Sequence, residues 1–141
     1  MNEVNNPFNL PRYELMILET LWKEGRPLLA SEIANISQMK TPTVYGNIKK
    51  LLKKHLVEVE AIVQNGTVFG RTYKTTMSPE EFELQKFKYD LKRKSCETIS
   101  TSNLVAALLA GKESKEILKE LDELEIMLRN YRKEIEQKKK G

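Results

Sequence analysis

The chain has 141 residues, of which 40% are hydrophobic and 31% charged, a composition typical of a soluble globular protein with one or two small domains. A single cysteine, Cys96, and a single histidine, His55, exclude an intrachain disulfide and a zinc site built from several such ligands. The net charge of +4 is mildly basic, so attraction to an anionic partner depends on where the charges lie.

No run of apolar residues approaches the roughly 20 that are needed to cross a bilayer. The first residues, which include Asn2, Glu3, Asn5 and Asn6, lack the apolar core of a signal peptide. We therefore expect a cytoplasmic protein with no membrane partner.

Two helices and a short strand are predicted before residue 40. Pro11 can begin a helix that ends at Gly25, and a second helix begins near Ser31. Between them, Leu28 and Leu29 form an apolar pair that can add a small strand. The residues expected to point inward from the two helices are Leu15, Leu18, Leu21, Trp22, Ile33 and Ile36.

The segment from Thr41 to Lys54 is predicted to be an amphipathic helix. Thr41 supplies a hydroxyl for the helix cap, and Pro42 suits the first turn because no amide hydrogen is needed there. Apolar residues recur at helical spacing at Val44, Ile48, Leu51 and Leu52. The other face carries Thr43, Tyr45, Gly46, Asn47, Lys49, Lys50 and Lys53. A helix that is apolar behind and cationic, hydroxylic and amidic in front suits the major groove of DNA.

A two-stranded ribbon is predicted directly after this helix. Partial alternation from Leu56 to Val63 indicates a half-buried strand, and Asn65-Gly66 supplies a tight turn. The returning strand, from Thr67 to Thr75, places Phe69, Arg71, Tyr73 and Thr75 on one side. A helix followed at once by such a ribbon is typical of a winged helix.

The remaining residues are predicted to be helical. Ser78-Pro79 begins a helix that runs to about Lys94, with Phe82, Leu84, Phe87 and Leu91 mostly inward. A short helix covers residues 103–110, and the last helix begins near Ser114 with an apolar seam at a period of 3.5 residues. Because about 64 residues cannot bury this much apolar surface, we expect a partner chain to cover it. The predicted dimer interface comprises Leu104, Val105, Leu108, Leu109, Ile117, Leu121, Leu124, Leu128 and Tyr131.

The predicted fold class is α+β and mostly α, because no βαβ crossover is present. Residues 1–77 are expected to form a winged-helix DNA-binding domain. Residues 78–141 are expected to form a helical dimerisation domain.

From about Leu10 onward the chain resembles the penicillinase repressor family, the BlaI/MecI-type transcriptional regulators. The resemblance rests on residues 13–22 (YELMILETLW), on Thr43-Val44-Tyr45 with Leu51, Lys53-Lys54 and Leu56-Val57, on residues 70–73 (GRTY), and on Asn103-Leu104-Val105. It implies a homodimer in which an N-terminal winged helix binds a palindromic operator and C-terminal helices join the two copies. It also implies that Thr43, Tyr45, Gly46 and Lys50 face base edges or nearby phosphates.

The chain departs from this family at its regulatory positions. Penicillin-responsive members are cleaved at an asparagine-phenylalanine bond, whereas Ala107-Leu108 stands at the matching place. Copper-responsive relatives carry a cysteine-rich C-terminal motif that this chain lacks. Tyr45 and Gly46 stand where antibiotic-responsive members tend to have an arginine and a hydroxyl. The resemblance therefore specifies neither the inducing signal nor the operator sequence.

The predicted DNA-binding residues are Thr41, Thr43, Tyr45, Gly46, Asn47, Lys49, Lys50, Lys53, Lys54, Asn65 and Arg71. Lys50 and Asn47 are candidates to contact base edges, although Asn47 can equally cap or merely solvate its helix. Lys49, Lys53 and Lys54 are expected to contact phosphates, and Asn65, Gly66 and Thr67 to lie along the DNA backbone. Arg71 can hold a phosphate or pair with Glu58 or Glu60 across the strands.

The sequence predicts a sequence-specific DNA-binding regulator, a homodimeric repressor of a palindromic operator. No catalytic constellation, cofactor motif or metal site is expected, so an enzyme is not predicted. Two alternatives stay open: a winged-helix scaffold that binds proteins, in which the lysines are simply solvated, and a nucleoid-type protein with little sequence preference.

Overall fold

A computed structural model describes residues 6–65, 68–94 and 98–140. Its elements are α1 (Arg12–Glu24), β1 (Leu28–Leu29), α2 (Ala30–Ser37), α3 (Thr41–Lys53), β2 (Val57–Asn65), β3 (Val68–Thr75), α4 (Pro79–Lys94), α5 (Thr101–Leu109) and α6 (Ser114–Lys140). The predicted class, α+β with mostly helical content, is confirmed. The chain divides into two compact units, Met1–Lys94 and Ser95–Gly141.

The core of the first unit lies between α1, α2 and α3 and the small sheet. The three helices pack on one another, and α3 continues through a turn into β2. The buried apolar residues are Ile17, Leu18, Leu21, Leu28, Ala30, Ile33, Ala34, Val44, Ile48, Leu51, Leu56, Val57, Tyr73 and Phe82. The expectation for Ile36 was wrong, because α2 turns Ala34 inward and leaves Ile36 largely exposed.

The sheet has three antiparallel strands in the order β1-β3-β2. The predicted pair Leu28-Leu29 forms β1 and aligns with Tyr73 and Thr72 of β3. A register irregularity between Val59 and Ala61 interrupts the pairing of β2 with β3. Such a bulge increases the local twist of a ribbon.

The start of α2 is held by a carboxylate that reaches back to the preceding strand. The Leu29 backbone N–H donates to Glu32 Oε1 at 3.0 Å, which satisfies an amide that the helix leaves free. This hydrogen bond lowers the pKa of Glu32, a hydrogen bond from Arg26 lowers it further, and burial opposes both.

Helix α4 groups with the N-terminal unit, whereas the sequence placed the boundary after Met77. Ser78 Oγ caps α4 by accepting from the Glu81 N–H at 3.1 Å, as predicted. Phe82 is buried against Trp22 and Phe8, with ring centroids 5.5 and 5.6 Å apart. The first turns of α4 therefore complete the core of the winged helix.

Two additional hydrogen bonds tie segments of the first unit to one another. The Trp22 indole N–H donates to the Met77 carbonyl at 2.9 Å, and Asn6 Nδ2 donates to the Lys86 carbonyl at 2.7 Å. Farther along α4, Leu84 and Phe87 are exposed, so the expectation that they point inward was wrong.

In the second unit, α5 is followed in the chain by α6. Ser100 caps α5 by accepting from the Asn103 N–H at 3.1 Å. None of the nine residues predicted for a dimer interface is buried. Leu104, Val105, Leu109, Ile117 and Leu124 are half-buried, whereas Leu108, Leu121, Leu128 and Tyr131 are exposed. Within the described residues, no helix combines the length and the hydropathy that a membrane crossing requires.

Candidate nucleic-acid interface

Helix α3 has one buried side and one exposed side, as its sequence pattern predicts. Val44, Ile48 and Leu51 are buried in the core. The opposite side presents Tyr45, Gly46, Lys49, Lys50 and Lys53 to solvent, and Thr43 and Asn47 are half-buried at its margins. Because the apolar side is anchored, the cationic side can face only outward.

The lysines of this exposed side are not neutralised by the protein. Among the residues that the structure describes, no carboxylate forms an ion pair with Lys40, Lys49, Lys50 or Lys53. Residues 40–54 contain no acid at all. Unpaired lysines on one helix face produce a local positive potential that attracts phosphates.

The side chain of Asn47 is partly engaged within its own helix. Asn47 Nδ2 donates to the Thr43 carbonyl at 2.8 Å. A bidentate contact with adenine needs the amide oxygen and one N–H, and Nδ2 carries two hydrogens. The internal hydrogen bond therefore restricts the orientation of the Asn47 amide but leaves one N–H and the oxygen for a base.

Lys54 is the one lysine of this segment with a protein partner among the described residues. Its Nζ lies 2.7 Å from Glu14 Oε1 of α1. The Glu14 side chain is 1% exposed and the Lys54 side chain 38% exposed. The pair therefore places a buried carboxylate at the carboxyl end of α3. The sequence indicated this burial, because Glu14, Leu18 and Leu21 are spaced by four and three residues and so share one helix face.

The turn before α3 differs in detail from the prediction. Thr41 is the first helical residue and Lys40 occupies the cap position without a side-chain hydrogen bond, so the expected capping role of the Thr41 hydroxyl was wrong. Thr41 is instead exposed. It lines a shallow groove of about 480 Å³ together with residues of α2, including Ser31 and Asn35.

After α3, His55 adopts a left-handed conformation with φ of 60°, and its carbonyl accepts from Thr76 Oγ1 at 2.8 Å. This turn directs the chain from α3 into β2.

The ribbon glutamates, Glu58 and Glu60, contact residues other than Arg71. Glu58 pairs with Lys74 at 3.4 Å, and Glu60 accepts from Thr72 Oγ1 at 3.4 Å. Arg71 is exposed, and no ion pair to it is found in the described part of the chain. The predicted pairing of Arg71 with Glu58 or Glu60 is therefore not formed.

Asn65 pairs with Val68 on the outermost rung of the ribbon. The predicted backbone contacts of Gly66 and Thr67 lie outside the described residues, as does Cys96.

The ribbon also carries an apolar surface that the sequence analysis did not single out. Phe69 is 67% exposed, Ile62 68% and Tyr45 of the neighbouring α3 55%. A groove of about 390 Å³ separates α3 from the ribbon; its lining comprises Leu29, Ala30, Ser31, Tyr45, Val63, Phe69, Gly70 and Arg71. The alternation of residues along β3, which places Phe69 and Arg71 on one side of the strand, was a sequence signal for this apolar surface.

No protein-family model matches this chain, and no curated protein does either. Among solved structures, a possible transcriptional regulator from Methanosarcina mazei Go1 is 17% identical, with 75% of this chain and 82% of that chain covered at a TM-score of 0.51. The fold is a winged helix.

Two further structures are similar at lower scores. A mutant of S. aureus MepR bound to an oligodeoxyribonucleotide is 16% identical, with 87% of this chain and 80% of that chain covered at a TM-score of 0.46. A MarR family regulator from Neisseria meningitidis is 19% identical, with 89% and 81% covered at a TM-score of 0.44.

The ion pair between Glu14 and Lys54 predicts that loss of the Lys54 ammonium destabilises the fold. Lys54→Met removes the ammonium and leaves the Glu14 carboxylate buried without its partner. Breaking a fully buried pair costs roughly 3–5 kcal/mol, and because Lys54 is partly hydrated we expect a loss of about 2 kcal/mol in the free energy of unfolding. Urea unfolding at pH 7 measures this loss.

Two further variants serve as controls for this prediction. Lys53→Met changes an exposed lysine of the same helix and should leave the unfolding midpoint nearly unchanged. The double variant Glu14→Leu/Lys54→Met should recover most of the lost stability, because an apolar pair replaces the ionic one. Equal midpoints for Lys54→Met and Lys53→Met would contradict the structural role of the pair.

Proposed function

We propose that this protein is a homodimeric, sequence-specific DNA-binding transcriptional regulator that represses by occupying a palindromic operator. One observation carries the proposal: α3 buries Val44, Ile48 and Leu51 and turns Lys49, Lys50 and Lys53 outward, and no carboxylate in the described part of the chain forms an ion pair with these lysines. A rigid helix with this division of surfaces fits the major groove, and its lysines neutralise phosphates.

The residues of α3 are proposed to divide into two roles. Thr43, Tyr45 and Lys50 face base edges, since lysine donates to guanine O6 and N7 and a threonine or tyrosine surface contacts thymine methyl groups. Lys49 and Lys53 contact phosphates, which adds affinity without sequence choice. Thr41 and Asn65 supply polar contacts to the backbone at the two ends of the surface.

Lys54 and Asn47 receive revised roles in this proposal. Because the Lys54 ammonium is bound to the buried Glu14 carboxylate, we assign it to holding α1 and α3 together. Asn47, whose amide nitrogen is hydrogen-bonded within α3, is proposed to accept from the DNA through its oxygen.

Gly46 supports a close approach to DNA. A glycine inside a helix is less favourable than alanine by roughly 0.5–1 kcal/mol. Nothing lies within 4 Å of the place where a Cβ would stand, so the fold itself does not require a glycine at this position. Because Gly46 has no side chain, the α3 backbone beside Tyr45 can come near the floor of a DNA groove or a phosphate.

The exposed apolar residues of the second unit support a homodimer. Leu108 and Leu128 are 61% and 62% exposed, and the cavity of about 370 Å³ between α5 and α6 is lined mainly by apolar side chains. A symmetric partner can cover such a surface, and two joined copies read two half-sites. The affinities of the half-sites combine only while the chains stay joined.

The proposed repressor role and the penicillinase-repressor kinship rest on the sequence resemblance. The segments that carry it lie in α1, in α3 and the turn that leads into β2, in β3 and in α5. We propose that the winged-helix unit binds DNA and that the unit from 95 to 141 dimerises. Release of the operator would then follow from any signal that separates the two chains.

Salt-dependent binding tests the proposal. A chain that uses several lysines should bind duplex DNA at about 50 mM salt and release most of it by about 200 mM. Operators selected from a random pool supply the specific probe. A chain that binds no duplex at 50 mM salt contradicts DNA binding and favours the protein-scaffold alternative.

The assignment of Lys50 and Lys53 to different roles is testable on the same operator. Lys50→Ala should weaken binding to the operator by about tenfold or more but change binding to random DNA little, since one base contact contributes about 1–3 kcal/mol. Lys53→Ala should weaken both equally and reduce the salt slope by about one.

Fluorescence anisotropy over a series of salt concentrations measures these effects. Lys23→Ala, which changes an exposed lysine of α1, is the matched control and should behave like the native chain. If Lys50→Ala and Lys53→Ala lose affinity equally on every duplex, the base-reading role of Lys50 is wrong.

The interface proposal predicts that the two sides of α6 respond differently to charge. Leu128 lies on the seam, whereas Ile126, 59% exposed, lies on the opposite side of the helix because successive residues are about 100° apart. Leu128→Asp should give monomers in light scattering coupled to gel filtration, because a carboxylate is costly to bury. Ile126→Asp should remain a dimer; monomers from both variants, or from neither, would contradict the assignment of the seam.

A further inference from the structure

The ribbon carries an exposed aromatic residue, Phe69, that lies outside the lysine face of α3. Phe69 lies one rung from the outer end of the ribbon, paired with Gln64, next to the outermost pair Asn65 and Val68. The Phe69 side chain is 67% exposed, so most of its apolar surface is available to a partner.

The surroundings of Phe69 point to an anionic partner with apolar surfaces. Of the described residues that line the groove beside it, which include Tyr45 and Leu29, only Arg71 is charged, and none is an acid. Nucleic acid combines phosphates with the apolar faces of sugars and bases, so it matches both properties of the groove.

The position of Phe69 relative to α3 suggests which part of DNA it meets. Phe69, Arg71 and Tyr73 share one side of β3, and Tyr73 is buried in the core. Four residues of strand place Phe69 roughly 13 Å beyond Tyr73. Phe69 and Tyr45 of α3 line the same groove. If a sugar-phosphate strand lies in this groove, α3 occupies the major groove on one side of the strand and Phe69 lies at the neighbouring minor groove on the other.

We propose that Phe69 is an apolar wedge that enters this minor groove at a base step and bends the DNA. This inference rests on the proposed DNA-binding function. Tyr45 lies at the α3 side of the groove, and Arg71 neutralises a phosphate beside the widened step. Apolar wedges of this kind partly unstack a step and bend the duplex. Because TpA steps deform most easily, the wedge adds sequence preference at a position that no hydrogen bond reads.

Two duplexes of the same composition test the wedge. Both are 30-base-pair probes with identical GC ends; the interior of one alternates T and A, and that of the other is an uninterrupted A-tract. End-attached donor and acceptor dyes report bending by energy transfer, and anisotropy reports affinity at 50 mM salt. The native chain should prefer the alternating duplex by about tenfold and shorten its end-to-end distance.

Variants of Phe69 then separate the wedge from general binding. Phe69→Ala should bind both duplexes equally and bend neither. The salt dependence of binding should not change, because the variant keeps the lysines that contact phosphates. Phe69→Leu keeps an apolar wedge and should retain most of the preference. Tyr13→Ala, which changes an exposed aromatic residue of α1, is the control and should match the native chain.

The possible failures are distinguishable. If the native chain binds both duplexes alike and bends neither, or if Phe69→Ala keeps the preference and the bend, the wedge is wrong while DNA binding stands. If the native chain binds neither duplex even at 50 mM salt, the proposed function and the wedge are both overturned.

Discussion

The burial of one narrow stripe of α3 is the constraint on which the rest of this structure depends. Val44, Ile48 and Leu51 form the apolar side of the helix, and they are buried in the core that α3 forms with α1 and the sheet. Once they are buried, the helical repeat fixes Lys49, Lys50 and Lys53 on the outside. The orientation of the candidate DNA surface is thus a consequence of hydrophobic packing.

The same constraint explains why this part of the fold could be predicted from sequence. The helical period of α3, the alternation of β2 and β3 and the Ser78-Pro79 start of α4 are local patterns, and each is formed as expected. The apolar pair Leu28-Leu29 was sufficient to predict β1. In α3 the helical period was sufficient to predict which side chains are exposed. In α2 and α4 it was not, since Ile36, Leu84 and Phe87 are exposed although the pattern placed them inward.

Features that depend on contacts between elements were not predictable in this way. The sequence suggested that Lys54 was free for phosphate, but Glu14 lies forty residues away and meets it only after α1 packs on α3. The pattern placed Phe82 inward, but it did not indicate that the ring packs against Trp22 and that α4 belongs to the N-terminal unit. The hydrogen bond from Asn47 to the Thr43 carbonyl was not predictable either, because helical periodicity does not determine which partner a side-chain amide binds.

Two of the exposed apolar surfaces in the described part of the chain differ in their charges. The cavity between α5 and α6 carries both signs of charge, from Lys112, Glu120 and Glu123, with Lys112 Nζ 2.6 Å from Glu120 Oε1. Of the described residues that line the groove beside Phe69, only Arg71 is charged. A surface with both signs of charge suits a second copy of the chain, whereas a cationic apolar surface suits nucleic acid.

The most direct test of the central claim is a titration of the ¹⁵N-labelled full chain with a 30-base-pair duplex, followed by amide chemical shifts at 50 mM salt. The account predicts that the largest shift changes fall on α3 and the outer ends of β2 and β3, and that amides around the buried Phe82 change little. Shift changes confined to α5 and α6, or none at all, would contradict it.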